Sequence, residues 1–142
     1  MGKSEMNSTV TKETPVGFEL PAQSRQLTLE LNAVPGGSKT IHNNYDAAAR
    51  EGLSFPVAVA PTVAALIFKM MRECFGEGWI VGGKADLTFR LPIHAEDHVT
   101  AKAVVKEKVT EGKSMRFLFD VWVETSKGEK AIVGSCSGVV PN

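Results

Sequence analysis

The chain has 142 residues, 43% of them hydrophobic and 23% charged, which is typical of one globular domain. Sixteen Lys and Arg residues balance sixteen Asp and Glu residues, so the basic excess of nucleic-acid-binding and anionic-membrane-binding proteins is missing. No apolar run reaches the roughly 18 residues of a membrane span, and residues 1–14 lack the apolar core of a signal peptide. We therefore expect a cytoplasmic protein without a nucleic-acid or membrane partner.

The cysteines and the short motifs exclude several kinds of site. Neither Cys74 nor Cys136 belongs to a Cys-x-x-Cys pair, so the chain lacks a zinc or redox motif. We predict two reduced, buried thiols, as is usual in a cytoplasmic protein. The sequence also lacks a Gly-x-Ser-x-Gly turn and a phosphate-binding P-loop. We expect neither a metal nor another cofactor.

The N-terminal part of the chain, residues 1–15, is polar and is predicted to be a flexible tail. Residues 16–142 are predicted to form a single domain. Val16–Pro21 is predicted to be a short extended segment. Gln26–Leu31 alternates apolar and polar residues, which predicts a half-buried strand or an edge segment. The sequence Pro35-Gly36-Gly37-Ser38 then predicts a loop.

Two helices are predicted after this loop. Asn44–Glu51 contains three consecutive alanines, which favour a helix, and Gly52 is placed to end it. A second helix is predicted to begin near Pro61, because proline suits the first helical turn, and to end at Gly76. Few polar residues lie on its other side, so we expect it to be largely buried. Its apolar residues recur every three or four positions and form one stripe: Val63, Leu66, Ile67, Met70, Met71 and Cys74.

After Gly78 the period of the hydrophobic pattern changes to two, as in half-buried strands. Four strands are predicted, at residues 85–91, 99–106, 117–124 and 131–140. Short turns separate consecutive strands, which indicates an antiparallel meander. The long helix and the sheet each have only the other to cover their apolar faces. The predicted fold class is therefore α+β, with an antiparallel sheet wrapped around one long central helix.

The three histidines are the first candidates for chemistry. His42 lies between the glycine-rich loop and the first helix, where local backbone can hold its ring, and histidine as a residue type suits proton transfer near neutral pH. A solvated loop histidine is the alternative. His94 and His98 flank a predicted turn at residues 95–97. Without a third ligand at a suitable spacing, we interpret these two as solvated rather than metal-binding.

The beginning of the long helix is the second candidate. The first backbone N–H groups of a helix have no acceptor within the helix, so they can polarise a carbonyl group or bind an anion. Ala60 presents such an N–H, whereas Pro61 has none. A thioester carbonyl at this end would be activated as in an oxyanion hole. The alternative is that this turn is merely buried.

Several short segments, taken in their order and spacing, resemble those of a known protein family. The resemblance covers nearly all of residues 16–141. The segments are Val16-Gly17-Phe18-Glu19-Leu20-Pro21, Arg25, Leu27-Thr28, Glu30, Ile41-His42, Gly52, Pro56, Phe89-Arg90-Leu91-Pro92-Ile93 and Asp97-His98-Val99-Thr100-Ala101. They resemble the MaoC-like dehydratases, the (R)-specific enoyl-CoA hydratases. The resemblance implies a hot-dog fold, a dimer whose sheets join edge to edge, and an acyl thioester of coenzyme A or acyl carrier protein as substrate. The family reaction is the reversible syn addition of water to a trans-2-enoyl thioester.

The catalytic motif of that family is only partly present. Its Asp-x-Asn-Pro-x-His pattern corresponds to residues 37–42, which implies that His42 is the catalytic histidine. Gly37 stands at the aspartate position, and Lys39-Thr40 stands at the Asn-Pro positions. The family's His-Gly pair at the start of the helix corresponds to Val59-Ala60. The resemblance therefore implies that the N–H of Ala60 is the oxyanion donor.

A replacement for the missing carboxylate has three candidates. Asp46 would share a helical face with His42 if the helix already began at His42. Otherwise Asp46 is a solvated residue of the first helical turn, where a negative charge is favoured. Tyr45 and Glu51 are weaker substitutes.

Four residues are candidates for substrate binding. Phe55, Val59 and Trp79 are predicted to line an apolar acyl tunnel, with core packing as the alternative, which is the more typical role for Phe68. Arg90 could meet phosphate groups of a charged carrier, unless it is only a solvated residue on the outer face of a strand.

Three functions remain open at this point. The first is a hydratase or dehydratase that uses His42. The second is a non-catalytic acyl-thioester-binding subunit of a heteromeric dehydratase, because Val59-Ala60-Pro61-Thr62 is similar to the helix start of such partner subunits. The third is a hot-dog thioesterase, which needs a carboxylate near the helix, and residues 52–69 contain none.

Overall fold

The computed structural model describes residues 10–141. In chain order they form strand β1 (Gln23–Gln26), helices α1 (Tyr45–Arg50), α2 (Ala60–Phe75) and α3 (Glu77–Ile80), and strands β2 (Lys84–Phe89), β3 (His98–Glu111), β4 (Ser114–Glu124) and β5 (Lys130–Pro141). The five strands make one antiparallel sheet in the order β1-β3-β4-β5-β2. This confirms the predicted α+β class and the predicted central helix.

Helix α2 packs on the sheet, against β1, β3, β4 and β5. The predicted apolar stripe from Val63 to Cys74 is buried, together with Phe75. The predicted inward sides of the long strands are buried as well, because alternate residues of a strand face the same side of a sheet. These strand residues are Val99, Ala101, Ala103, Val105, Phe117, Phe119, Val121 and Val123.

The expectation that α2 is buried on nearly all sides is wrong for the single chain. Ala65, Phe68, Lys69 and Arg72 lie on its exposed face. Phe68 is therefore not a core residue and instead stacks on Trp79, with 6.1 Å between the ring centroids. One apolar stripe against one sheet is enough to hold the helix in place.

The meander prediction holds for β3, β4 and β5 but is wrong for β2. Strand β2 pairs with β5 at the far edge of the sheet. The segment from Pro92 to Asp97 is consequently a crossover from β2 to β3, and a β-bridge links His94 in it to Val57. A short connection looks the same in sequence whether it closes a hairpin or crosses to a strand farther along the sheet.

The predicted strand at Gln26–Leu31 is also wrong. Strand β1 ends at Gln26, which pairs with His98, the first residue of β3. Beyond that point the chain has no partner strand, and residues Leu29–Asn32 form a 3-10 turn. The extended segment predicted at residues 16–21 is confirmed only in part: Glu19 forms a bridge with Val104 of β3, whereas Val16 and Gly17 form a turn.

The predicted tail covers residues 1–15, but its last residues already pack against the domain. Val10 is only 2% exposed and belongs to the core cluster. Thr14 is buried too, and its hydroxyl accepts a hydrogen bond from the N–H of Thr11. Residues 1–9 of the predicted tail lie outside the described residues.

Cys74 and Cys136 are both buried and free of a disulfide, as predicted. Burial disfavours the charged thiolate and raises the pKa of each thiol to about 12. No helix among the described residues is long and apolar enough to cross a membrane.

Candidate functional site

The ring of His42 is held by the backbone of a neighbouring segment. Its Nδ1 lies 2.8 Å from the carbonyl oxygen of Val57. A carbonyl oxygen can only accept, so Nδ1 must carry the proton and donate it to this bond. In the neutral ring Nε2 is then the nitrogen that can accept a proton. His42 is half-buried, and this geometry makes Nε2 the candidate general base of the molecule.

The loop that carries His42 is fixed by two asparagines that the sequence analysis missed. Asn32 donates to the carbonyl of His42 at 2.9 Å. Asn43 donates to the carbonyl of Asn32 at 3.1 Å, and its side-chain oxygen accepts from the N–H of Thr40 at 2.8 Å. The side chain of Asn44 caps α1 by accepting from the N–H of Ala47. The Asn-Asn pair at 43–44 is a loop and capping signal that could have drawn attention to this network.

The beginning of α2 lies three residues beyond the carbonyl that holds His42. Val59 is the N-cap residue and makes no side-chain cap. The N–H groups of Thr62 and Val63 donate to the carbonyl of Val59, and Pro61 has no N–H. Among residues 10–141, no acceptor is found for the N–H of Ala60. This N–H is therefore available to a ligand oxygen.

A narrow crevice, too tight to admit a water molecule, lies beside this helix start. Val59 and Thr62 form one wall, and Leu27, Leu31 and Asn32 contribute to the other. The crevice joins an apolar surface to the buried amide that supports the His42 loop. Of the predicted binding residues, only Val59 lies here.

Phe55 lies elsewhere, in a cluster around His94. The two rings stack with centroids 4.6 Å apart. Tyr45 donates a hydrogen bond to the carboxylate of Glu96, which raises the pKa of Tyr45. His94 is thus a packed and hydrogen-bonded residue, contrary to the predicted solvated one, whereas His98 is exposed at the start of β3. Within residues 10–141, no group of three His, Cys, Asp or Glu residues is arranged to hold a metal.

Trp79 and Arg90 are apart from both places. Trp79 lines an open groove with Phe68 and Arg72 on the exposed face of α2. Arg90 is exposed directly after the edge strand β2. The structure therefore ties His42 to Val57, two residues before Val59 and three before Ala60, whereas Phe55 and Trp79 line two other cavities.

The candidates for a replacement carboxylate do not reach His42. Helix α1 begins at Tyr45, so the prediction that His42 and Asp46 share a helical face is wrong. Asp46 is exposed in the first turn of α1, where the helix dipole favours it. Tyr45 is bonded to Glu96, and Glu51 is an exposed C-cap residue. Gly37 is exposed, with φ of +77°.

No family model matches the sequence, and no curated protein matches it. Solved structures do resemble it. The (R)-hydratase from A. caviae involved in PHA biosynthesis is 18% identical, with a TM-score of 0.72 over 92% of this chain and 100% of that one. The MaoC-like dehydratase from Rhodospirillum rubrum is 13% identical, with a TM-score of 0.72 over 92% and 95%. A chain of the ChsH1-ChsH2 complex from Mycobacterium tuberculosis is 18% identical, with a TM-score of 0.68 over 91% of this chain and 99% of that one.

These similarities extend over the whole described domain and agree with the order of its helices and strands. At these identities they establish the fold and leave the activity open. The chain has the hot-dog fold, in the form shared by (R)-hydratases and MaoC-like dehydratases.

Proposed function

We propose that this protein is an (R)-specific enoyl-thioester hydratase, or 3-hydroxyacyl-thioester dehydratase, in which His42 is the general acid and base. The observation that carries the proposal is the hydrogen bond from His42 Nδ1 to the Val57 carbonyl, which leaves Nε2 to exchange protons. The N–H of Ala60, three residues farther along the same segment, supplies the oxyanion donor. The structural similarity to an (R)-hydratase and a MaoC-like dehydratase supports this class of reaction.

One histidine is chemically sufficient for a syn addition. Nε2 takes a proton from water as the water oxygen bonds to the β-carbon of the enoyl group. The negative charge that develops on the thioester oxygen is stabilised by the Ala60 N–H. The imidazolium then returns the proton to the α-carbon on the same face. Because general acid–base assistance is worth about 10²–10⁴-fold, the missing carboxylate predicts slower turnover than two groups would give.

Hydration of crotonyl-CoA by the purified protein tests this proposal. We expect the enoyl absorbance to decrease without release of free thiol. Release of thiol from a saturated acyl-CoA would instead indicate a thioesterase, and no turnover of crotonyl-CoA or of longer trans-2-enoyl-CoA substrates would contradict the proposal.

Restoring the family aspartate at Gly37 is expected to fail. A Cβ at this position would meet no atom within 4 Å, but the φ of +77° is unfavourable for a side chain. We expect Gly37→Asp to change the hydration rate less than twofold and to cost about 1 kcal/mol of unfolding free energy.

Ser38→Asp is the matched control for that variant, because it adds the same charge at the following residue, whose φ of −60° is ordinary for a side chain. Hydration rates and urea denaturation of both variants are compared with wild type. A tenfold or larger gain in the hydration rate of Gly37→Asp alone would show that the aspartate is the missing catalytic group.

A non-catalytic subunit of a heteromeric dehydratase is the second candidate. It is favoured by Gly37 at the aspartate position and by similarity to the ChsH1-ChsH2 complex. In that case the crotonyl-CoA assay is negative for this chain alone and becomes positive when a related hot-dog chain with an intact motif is added.

The edge of the sheet supports pairing with another hot-dog chain. Strand β2 is paired on one side only among the described residues, and an unpaired edge is a template for another strand. Ile80 and Val81, just before β2, are 62% and 76% exposed, and Phe89 within it is 51% exposed. We infer a dimer whose sheets join through β2, either with a second copy or with a related subunit.

Val81→Glu is expected to weaken such a homodimer at least tenfold, because it places an unpaired charge in an apolar contact. Light scattering over a concentration series measures the effect. Val16→Glu is the control, since Val16 is also an exposed valine, at 58%, and lies near the opposite edge of the sheet. Equal effects of both variants, or a monomeric wild type at all concentrations, would contradict this interface.

A further inference from the structure

Asn32 is a buried polar residue, and its amide bonds to the histidine that the proposed function uses. It ends the 3-10 turn Leu29–Asn32 and is 9% exposed. A buried amide group is costly unless it forms hydrogen bonds. Its Nδ2 donates to the backbone carbonyl of His42 at 2.9 Å, and no other donor to this carbonyl is found among residues 10–141. At its carbonyl, the backbone of His42 is therefore held by this one side chain.

Asn43 joins Asn32 to the loop that carries His42. Its Nδ2 donates to the carbonyl of Asn32 at 3.1 Å and to that of Ser38 at 3.2 Å. Its Oδ1 accepts from the N–H of Thr40 at 2.8 Å. Carbonyl oxygens only accept and a backbone N–H only donates, so these bonds determine the orientation of the amide. Residues 38–44 belong to no strand or helix, and side chains supply much of what holds them in place.

His42 has a hydrogen-bond partner at three of its atoms. Its N–H donates to Oγ1 of Thr40 at 3.1 Å, its carbonyl accepts from Asn32, and its Nδ1 donates to the carbonyl of Val57. The first two bonds fix the backbone, and the third fixes the ring. A side chain reaches only as far as its backbone position allows, so a shift of the His42 backbone would weaken the ring bond. Asn32 thus acts on the ring through the backbone.

Asn32 also lies beside the start of α2. Together with Val59 and Thr62 it lines the narrow crevice there. Of the residues that line this crevice, Asn32 is the one that forms hydrogen bonds with loop residues 38–43. It therefore connects the loop of His42 to the helix end at which the Ala60 N–H lies.

We propose that Asn32 is a positioning residue for His42. It holds the backbone where the ring bonds to Val57 through Nδ1, so that Nε2 keeps one direction relative to the start of α2. This inference rests on the proposed function, since it assigns Asn32 to the orientation of the proposed general base. A misplacement of about 1 Å costs roughly 10²-fold in rate even when the changed residue is remote from the chemistry.

NMR of the ring nitrogens in 15N-labelled protein tests the positioning without any turnover. The chain has three histidines, and His42→Asn identifies the His42 signals by their loss. In wild type we expect the neutral ring of His42 to carry its proton on Nδ1. In Asn32→Ala the population of this tautomer should decrease, and the form protonated on Nε2 should appear.

Asn44→Ala is the matched control, because Asn44 is the same residue type near the same loop but bonds to the N–H of Ala47. Its loss should lower the melting temperature, as for any lost helix cap, and leave the His42 signals as in wild type. Asn32→Asp is the second variant, in case Asn32→Ala folds poorly. It keeps the shape of the side chain, but its ionised carboxylate has no donor for the His42 carbonyl.

Kinetics with crotonyl-CoA complete the test. Both Asn32 variants should lower kcat about 10–100-fold and change KM less than about twofold, since positioning acts on the reacting geometry. Unchanged His42 signals in both Asn32 variants, or equal effects of Asn32→Asp and Asn44→Ala on kcat, overturn the inference. An inactive wild type whose His42 tautomer depends on Asn32 would sink the hydratase proposal and leave this one standing.

Discussion

His42→Asn is expected to lower kcat for enoyl-thioester hydration by about 10²–10⁴-fold, the usual worth of general acid–base catalysis. The Asn amide can replace Nδ1–H as the donor to the Val57 carbonyl, so the loop keeps the bond that now measures 2.8 Å. It has no counterpart of Nε2 that exchanges protons near neutral pH. The variant therefore removes the base and keeps the hydrogen bond to the Val57 carbonyl, which we call the tether.

His42→Ala removes both the tether and the base, and its comparison with His42→Asn separates the two roles. The loss of the tether should cost about 0.5–1.5 kcal/mol of unfolding free energy and add little to the loss of kcat. His98→Ala is the control, since His98 is an exposed histidine at the start of β3. Near wild-type kcat for His42→Asn would show that His42 only positions its loop and is not the base.

Phe119→Ala is expected to destabilise the fold by about 3–5 kcal/mol, a large part of the 5–15 kcal/mol by which domains are stable. Phe119 is fully buried in the middle of β4. Its ring meets Phe75 of α2 edge to face, with centroids 5.6 Å apart. The substitution opens a cavity between the central helix and the sheet, where the two layers depend on each other.

Urea denaturation measures this effect, with Phe119→Leu as the graded control. Leucine keeps most of the apolar volume, so we expect it to cost clearly less than alanine. A loss below about 1 kcal/mol for Phe119→Ala would mean that α2 does not pack on β4 as described.

Much of the fold could be predicted because the spacing of apolar residues shows directly which side of a strand or helix is buried. The period of two in β3 and β4 identified the buried side of both strands, and the stripe on α2 identified its packed face. The same alternation misled the prediction at Gln26–Leu31, because a strand also needs a partner. Strand β3 begins opposite Gln26, and a sequence pattern does not show where the partner strand starts.

The position of β2 could not be predicted for a related reason. A connection of a few residues is compatible with a hairpin and with a crossover, and only the pairing of β2 with β5 decides between them. The edge position explains why Phe89 is exposed although its strand alternates. An alternating strand at an edge can bury its apolar side against a second chain.

The choice of His42 and the Ala60 N–H stays a prediction, made from residue type, position and the family resemblance. The hydrogen bonds that support His42 could not be predicted. The tether of His42 is a backbone carbonyl, that of Val57, and a carbonyl is present in every residue and leaves no sequence signal. Phe55, Val59 and Trp79 were predicted to line one apolar tunnel, whereas the structure places Phe55 and Trp79 in separate cavities.

The product that the purified chain forms from crotonyl-CoA tests the central claim most directly. Chiral analysis of the reaction mixture should find (R)-3-hydroxybutyryl-CoA formed by the wild-type chain alone and missing with His42→Asn. Equal amounts of product from both proteins, the (S) enantiomer, or no hydroxyacyl product until another hot-dog chain is added would contradict a hydratase that works through His42.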